Sequence, residues 1–218
     1  MITMQRTGGT FLRQALASAW STQHVAVMRR DSSVMRRPPK ARLALRLQTV
    51  PSEMAYEAMT DDARLDRRSR HHRRQRRTLA EAGVGVVYAA RDNVGDIAHL
   101  VWALDAVDVQ SAPDVCLVRA APQEPGAITF VGAYTLEGHR RLGVAAESIA
   151  RISALLEQRP TLSRLFAVLP YDDPGCARAA AAAGFETLRV LTIRSRLGWQ
   201  SVYQQGHGAL GTLRGLPA

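Results

Sequence analysis

Thr135-Leu136-Glu137-Gly138-His139-Arg140-Arg141-Leu142-Gly143-Val144-Ala145 is the stretch on which the reading of this chain turns. Before it lies an apolar run, Ala127–Leu136 (AITFVGAYTL), with the character of a strand. After it, Ala145, Ile149, Ile152 and Leu156 recur at helical spacing until Pro160 ends the run, and Glu147 stands four residues before Arg151. The period therefore switches from 2 to 3.6 across a loop that holds Gly143 and two arginines. Such a loop leaves backbone N–H groups unpaired beside a helix N-terminus, where the helix dipole also favours negative charge. Arg140 and Arg141 add charge-assisted donors, and a glycine at 143 lets a guest approach the backbone closely. The natural guest is a pyrophosphate.

Working outward, Leu165–Leu169 (LFAVL) reads as a strand. Asp173-Pro174 is a helix start with an aspartate cap and proline in the first position, Gly184 is a helix stop, and Thr187–Ser195 is the last strand-like run. Upstream, Gly83–Ala90 and Ile97–Ala103 flank a turn cluster at Arg91–Asp96 and read as a hairpin. Val115–Arg119 is expected to be a short strand, followed by a polar turn at Ala121–Gly126. Ala41–Val50 has strand character after the Pro38-Pro39 linker, and Ser52–Ala82 favours two helices broken near Thr60–Asp62.

Arg140-Arg141-Leu142-Gly143-Val144-Ala145, placed between a strand and a long helix, resembles the R/Q-x-x-G-x-G/A signature of the GNAT superfamily of acyl-CoA N-acyltransferases. The later strand, helix and Gly184-Phe185 ending resemble its second conserved block. The resemblance covers about three quarters of the chain and implies an α+β fold, a mixed, twisted sheet of about six or seven strands with helices on both faces. It also implies transfer of an acyl group, acetyl above all, from acyl-CoA to an amine by direct attack. Thr135 and Arg140 to Ala145 (Arg140, Arg141, Leu142, Gly143, Val144, Ala145) then contact the co-substrate, acetyl-CoA, with a strand amide near Thr135 polarising the carbonyl. The nearest groups able to take the amine proton are Glu137 and His139. The family's tyrosine acid is replaced here by Ala180, which leaves Tyr171, Cys176 nearby or solvent to return a proton, or a domain that binds acyl-CoA without efficient turnover. The acceptor is an amine on a small molecule or a protein.

Composition sets outer bounds. Hydrophobic residues make up 46% and charged residues 22%, which fits a globular core and not wholesale disorder. The net charge of +10 is an N-terminal property: residues 1–78 hold 17 Lys and Arg against 6 acids, and the remainder 12 against 13. Residues 1–40 are expected to form a basic, poorly ordered or targeting-like extension, residues 41–203 the folded domain, and residues 204–218 a tail. Arg67–Arg77, with seven Arg and two His and no apolar side chain, reads as a solvated face. A second reading gives this segment a contact with nucleic acid or an anionic surface, with the domain as a degenerate binding module. Cys116 and Cys176 are far apart and suggest neither a disulfide framework nor a zinc site, which suits a cytoplasmic protein. His71 and His72 are adjacent and point to different helix faces, so no metal is expected. No apolar run reaches 18 residues, so no transmembrane segment is expected.

Overall fold

The structure, a computed structural model, describes residues 20–31, 39–60, 76–112, 116–196, 199–205 and 213–214. Its strands are β1 (Trp20–Arg30), β2 (Arg46–Val50), β3 (Val86–Arg91), β4 (Ile97–Asp105), β5 (Ala127–Thr135), β6 (Arg164–Pro170), β7 (Phe185–Arg196), β8 (Trp199–Gln205) and β9 (Leu213–Arg214). The helices are α1 (Ser52–Thr60), α2 (residues 76–82), α3 (Ala106–Ser111), α4 (Cys116–Arg119), α5 (Val144–Leu156) and α6 (Pro174–Ala182). One sheet joins all nine strands in the order β2-β3-β4-β5-β6-β1-β7-β8-β9. Every pairing is antiparallel except β5 with β6, which α5 connects as a crossover. The α+β architecture expected from the sequence is present, with nine strands in place of six or seven.

Helices cover both faces. On one, Ala55 and Met59 of α1, Leu79 and Ala80 of α2, Val109 of α3 and Leu117 of α4 pack on Val25, Val27, Leu100, Trp102, Leu104, Phe166 and Val168. On the other, Ile149, Ile152 and Leu156 of α5 and Ala180 of α6 pack on Ala26, Met28, Val101, Phe130, Leu165, Ala167 and Leu169. Strand β1 shows the alternation in four residues, since Val25 and Val27 belong to the first layer and Ala26 and Met28 to the second. All four are at most 3% exposed.

The structure corrects several expectations. Residues 20–30, read as part of a poorly ordered extension, form a central strand paired with β6 on one side and β7 on the other. The proposed tail beginning at 204 contains the end of β8, and Leu213–Arg214 pairs with β8. Residues 116–119 are helical, not a strand, because β4 and β6 already occupy both edges of β5. Ala41–Leu45 is not strand either: the Arg42 amide donates to the carbonyl of Leu142 (2.9 Å) and the Ala41 amide to the Glu147 carboxylate (2.6 Å). Residues 67–75 of the Arg-rich tract lie outside the described residues. No described helix is long and apolar enough to cross a membrane.

Candidate functional site

Strands β5 and β6 pair only over Ala127–Phe130 against Arg164–Ala167, although β5 runs on to Thr135 and β6 to Pro170. A β-bulge marks the point of separation. Leu100 faces Tyr134 and Trp102 faces Val131, so Val101 alone opposes both Gly132 and Ala133. Gly132 sits at φ 65°, and a Cβ there would stand 3.1 Å from the buried Trp102 indole. The bulge brings two successive carbonyls within reach of one guanidinium: Arg76 donates from Nε to Gly132 O and from Nη2 to Ala133 O, both at 2.8 Å.

The resulting wedge is lined by Arg76, Leu79, Leu117, Val168, Asp173 and Cys176, among others. Its cavity of about 20 Å³ has room for roughly one water molecule. The Tyr134 ring has two guanidiniums near it, Arg76 at 4.8 Å and Arg140 at 5.7 Å from its centre. Asp173 accepts from the amides of Gly175 (3.0 Å) and Cys176 (3.1 Å), which caps α6 as its Asp-Pro start predicts. Burial, with help from Asp173, pushes the Cys176 thiol up to about 12, so it stays protonated. Burial pushes Arg76 down to about 10, which still leaves it charged.

The loop ahead of α5 is the second part. Arg141 (φ 63°) and Gly143 (φ 81°) are both left-handed, with Leu142 between them, and Arg141 is the one non-glycine residue with positive φ among those described. This alternation turns successive N–H groups toward a common concavity. Among the described residues, the amides of Arg141, Leu142 and Gly143 find no acceptor. The loop is braced from behind by residues 40–42 and by Glu147, which also receives Arg151. A Cβ on Gly143 would meet Ala41 Cα at 3.4 Å and Lys40 O at 3.5 Å. Gly143 thus serves the backbone turn and the approach of this brace, whereas the sequence reading assigned it to the guest. The brace also brings Arg42 against Leu142 and Lys40 against Gly143, both with exposed side chains.

Of the residues picked from sequence, Val144 is buried, and Leu142 packs with it on Ala41 and Leu45. Arg140 folds back, donating from Nε to Thr135 O (3.1 Å). The Thr135 hydroxyl contacts His99 Nδ1 at 2.9 Å. Glu137 is exposed on a 3-10 turn, and Tyr171, 56% exposed, stands on the turn after β6 outside the wedge lining. His139 Nε2 donates to Asp92 at 3.0 Å, tying the 3-10 turn to the β3–β4 hairpin. Ala180 is fully buried, so a phenol there would have no room. Sequence reasoning missed Arg76, Tyr134, Asp173, and the pair Lys40 and Arg42. The isolated Gly132 inside a strand pattern was the available signal for the bulge.

The Asp92 carboxyl is held below its ordinary value, chiefly by the His139 hydrogen bond and further by the amides of Asp96, Val94 and Gly95, with burial opposing. A lowered folded-state pKa contributes stability above the unfolded value and loses it as pH falls. Asp92→Asn should therefore melt below wild type at pH 7, with the gap closing below about pH 4. A gap that persists unchanged to pH 2.5 in thermal melts would contradict this role.

No family model matches the sequence, and no curated protein matches it. Solved structures do. A GCN5-related glucosamine N-acetyltransferase region of a fungal multidomain β-N-acetylglucosaminidase aligns with TM-score 0.53 and 15% identity, over 87% of this chain and 23% of that one. A Drosophila protein aligns with TM-score 0.52 and 9% identity, over 84% and 55%. A protein described as an acetyltransferase of the GNAT family from Novosphingobium aromaticivorans aligns with TM-score 0.50 and 14% identity, over 80% and 65%. This chain spans less than two thirds of the length of each.

Proposed function

We propose, for a chain that has the fold of the GNAT acetyltransferases, that it transfers an acyl group from acyl-CoA to an amine. The observation that carries the proposal is the conjunction at one end of β5: a parallel pair that splits at a bulge, beside a loop whose amides lack acceptors at the head of α5. When bound, acyl-CoA supplies an acyl group already activated as a thioester. The loop fits its diphosphate: the amides of Arg141 to Ala145 face an anion's oxygens, the α5 dipole adds to them, and Arg141 and Arg42 supply charge.

The wedge between β5 and β6 is where the acyl end is placed, with a β5 amide beyond the bulge polarising its carbonyl. At about 20 Å³ the wedge must open to admit it, and Arg76, held on the β5 carbonyls, is the cation in its lining. Cys176 lines the wedge and Tyr171 stands outside it, but a thiol pushed up to about 12 by burial holds its proton too tightly to give it to a departing thiolate, which takes its proton from solvent. Glu137, exposed at the turn, receives the amine proton directly or through water. His139, with Nε2 committed to Asp92, serves to position that turn. The narrow wedge equally favours a domain that binds acyl-CoA without turnover, and turnover with amines separates the two.

Calorimetric titration of acetyl-CoA tests the binding half. Wild type should bind, and Arg141→Glu, which places a carboxylate at the anion loop, should weaken binding at least tenfold with the melting temperature held. Equal binding by both proteins would remove the loop from the site.

A further inference from the structure

We infer that Glu147 is a positioning residue for the anion loop. It clasps residues 41–45 against the head of α5 and so holds the Leu142–Gly143 peptide with its N–H free for the bound diphosphate. This rests on the acyltransfer reading above and adds the residue that sets the loop's geometry.

The sequence puts an acid, Glu147, in the first turn of α5. A carboxylate there suits the helix dipole but repels a phosphate bound at the same N-terminus. Both of its oxygens are engaged, Oε2 accepting from the Ala41 amide (2.6 Å) and Oε1 from Arg151 Nη1 (3.3 Å), and the side chain is only 16% exposed. The same Arg151 nitrogen donates to Leu45 O (2.8 Å), so the Glu147–Arg151 pair grips the segment at both ends. Ala41 and Leu45 pack with Val144 of α5 on Ala90 of β3 and Ala98 of β4, which ties this support to the sheet.

Between the two grips, the Arg42 amide donates to Leu142 O (2.9 Å). No described peptide bond is cis, and in a trans peptide the C=O and N–H point in opposite directions. Fixing Leu142 O on the segment therefore aims the Gly143 N–H away from it, and that N–H has no acceptor among the described residues. A peptide next to glycine turns over at little steric cost, because glycine takes either sign of φ. Without the clasp, the Leu142 carbonyl is free to rotate toward the anion and repel it. Glu147 thus favours anion binding through geometry, although its charge opposes it.

That opposition gives the test its sign. Removing a carboxylate beside a diphosphate tightens binding if charge alone acts, and weakens it if the carboxylate positions the loop. Acetyl-CoA is titrated by calorimetry into wild type, Glu147→Ala and Glu147→Gln, with a melting curve and an amide proton–nitrogen spectrum for each. Glu147→Ala should bind roughly fivefold more weakly, the worth of about one hydrogen bond, and its Gly143 amide resonance should shift before ligand is added. Glu147→Gln, whose side-chain oxygen still accepts from Ala41, should recover most of the affinity. Arg42→Pro and Arg42→Ala both lack the charge but only the proline lacks the N–H, so the proline variant should bind more weakly than the alanine one. Equal or tighter binding by folded Glu147→Ala overturns this inference alone. Should Glu147→Ala not fold, equal binding by the two Arg42 variants overturns it. Failure of wild type to bind acetyl-CoA overturns the acyltransfer reading and this inference with it.

Discussion

A chain lacking residues 1–31 should not fold. Strand β1 is the partner of both β6 and β7, and its removal separates β7, β8 and β9 from the rest of the sheet. Val25, Val27 and Met28 are each at most 3% exposed, and at about 2 kcal/mol for each buried side chain their burial alone contributes on the order of 6 kcal/mol. That is comparable to the whole stability of a domain, roughly 5–15 kcal/mol, before any ladder hydrogen bond is counted. Circular dichroism and proton NMR of the truncated chain should show no cooperative melt and no shift dispersion. Val27→Asp in the full chain offers a gentler version, because it places an unpaired charge at a position 0% exposed. A truncated chain that melts cooperatively would refute the central placement of β1.

Gly132→Val should be the most damaging single change near the wedge. A left-handed φ costs a side chain about 1–2 kcal/mol, and overpacking against Trp102 adds about 1–3 kcal/mol. The combined loss of roughly 3 kcal/mol should lower the melting temperature by on the order of 10 °C in a protein of this size. The same substitution pushes toward Arg76 Cγ, 3.6 Å from the added Cβ, and Leu79 Cδ1, 3.7 Å away, so ligand binding at the wedge should fall with it. Gly132→Ala, with no β-branch, should show a smaller loss in chemical denaturation. A valine variant as stable as wild type would mean that the bulge relaxes, and that the β5–β6 separation does not depend on it.

Local features of this fold were legible in the sequence and distant ones were not. The Asp173-Pro174 start of α6, the hairpin around residues 91–96 and the loop into α5 are written in adjacent residues, where cap, turn and periodicity act within a few positions. Strand β1 was hidden because its apolar run is only Val25–Met28, and its partners lie some 140 to 170 residues away at β6 and β7. Nothing within residues 20–30 announces that both faces will be covered. Arg76 failed to stand out for the opposite reason: seven arginines in eleven residues look alike, and the two carbonyls that single one out belong to a bulge 56 residues away. The brace of Lys40 and Arg42 behind Gly143, and the tie between His139 and Asp92, are likewise contacts across the sheet edge that no spacing rule encodes.

The most direct test of where acyl-CoA binds is hydrogen–deuterium exchange of the full chain with and without saturating acetyl-CoA. Bound ligand should slow exchange at two places, the amides of residues 141–146 at the head of α5 and those of residues 131–135 beyond the β5 bulge, with little change in β7 and β8. Protection confined to other segments, or no protection at either place under conditions where calorimetry reports binding, would contradict the site described for this chain.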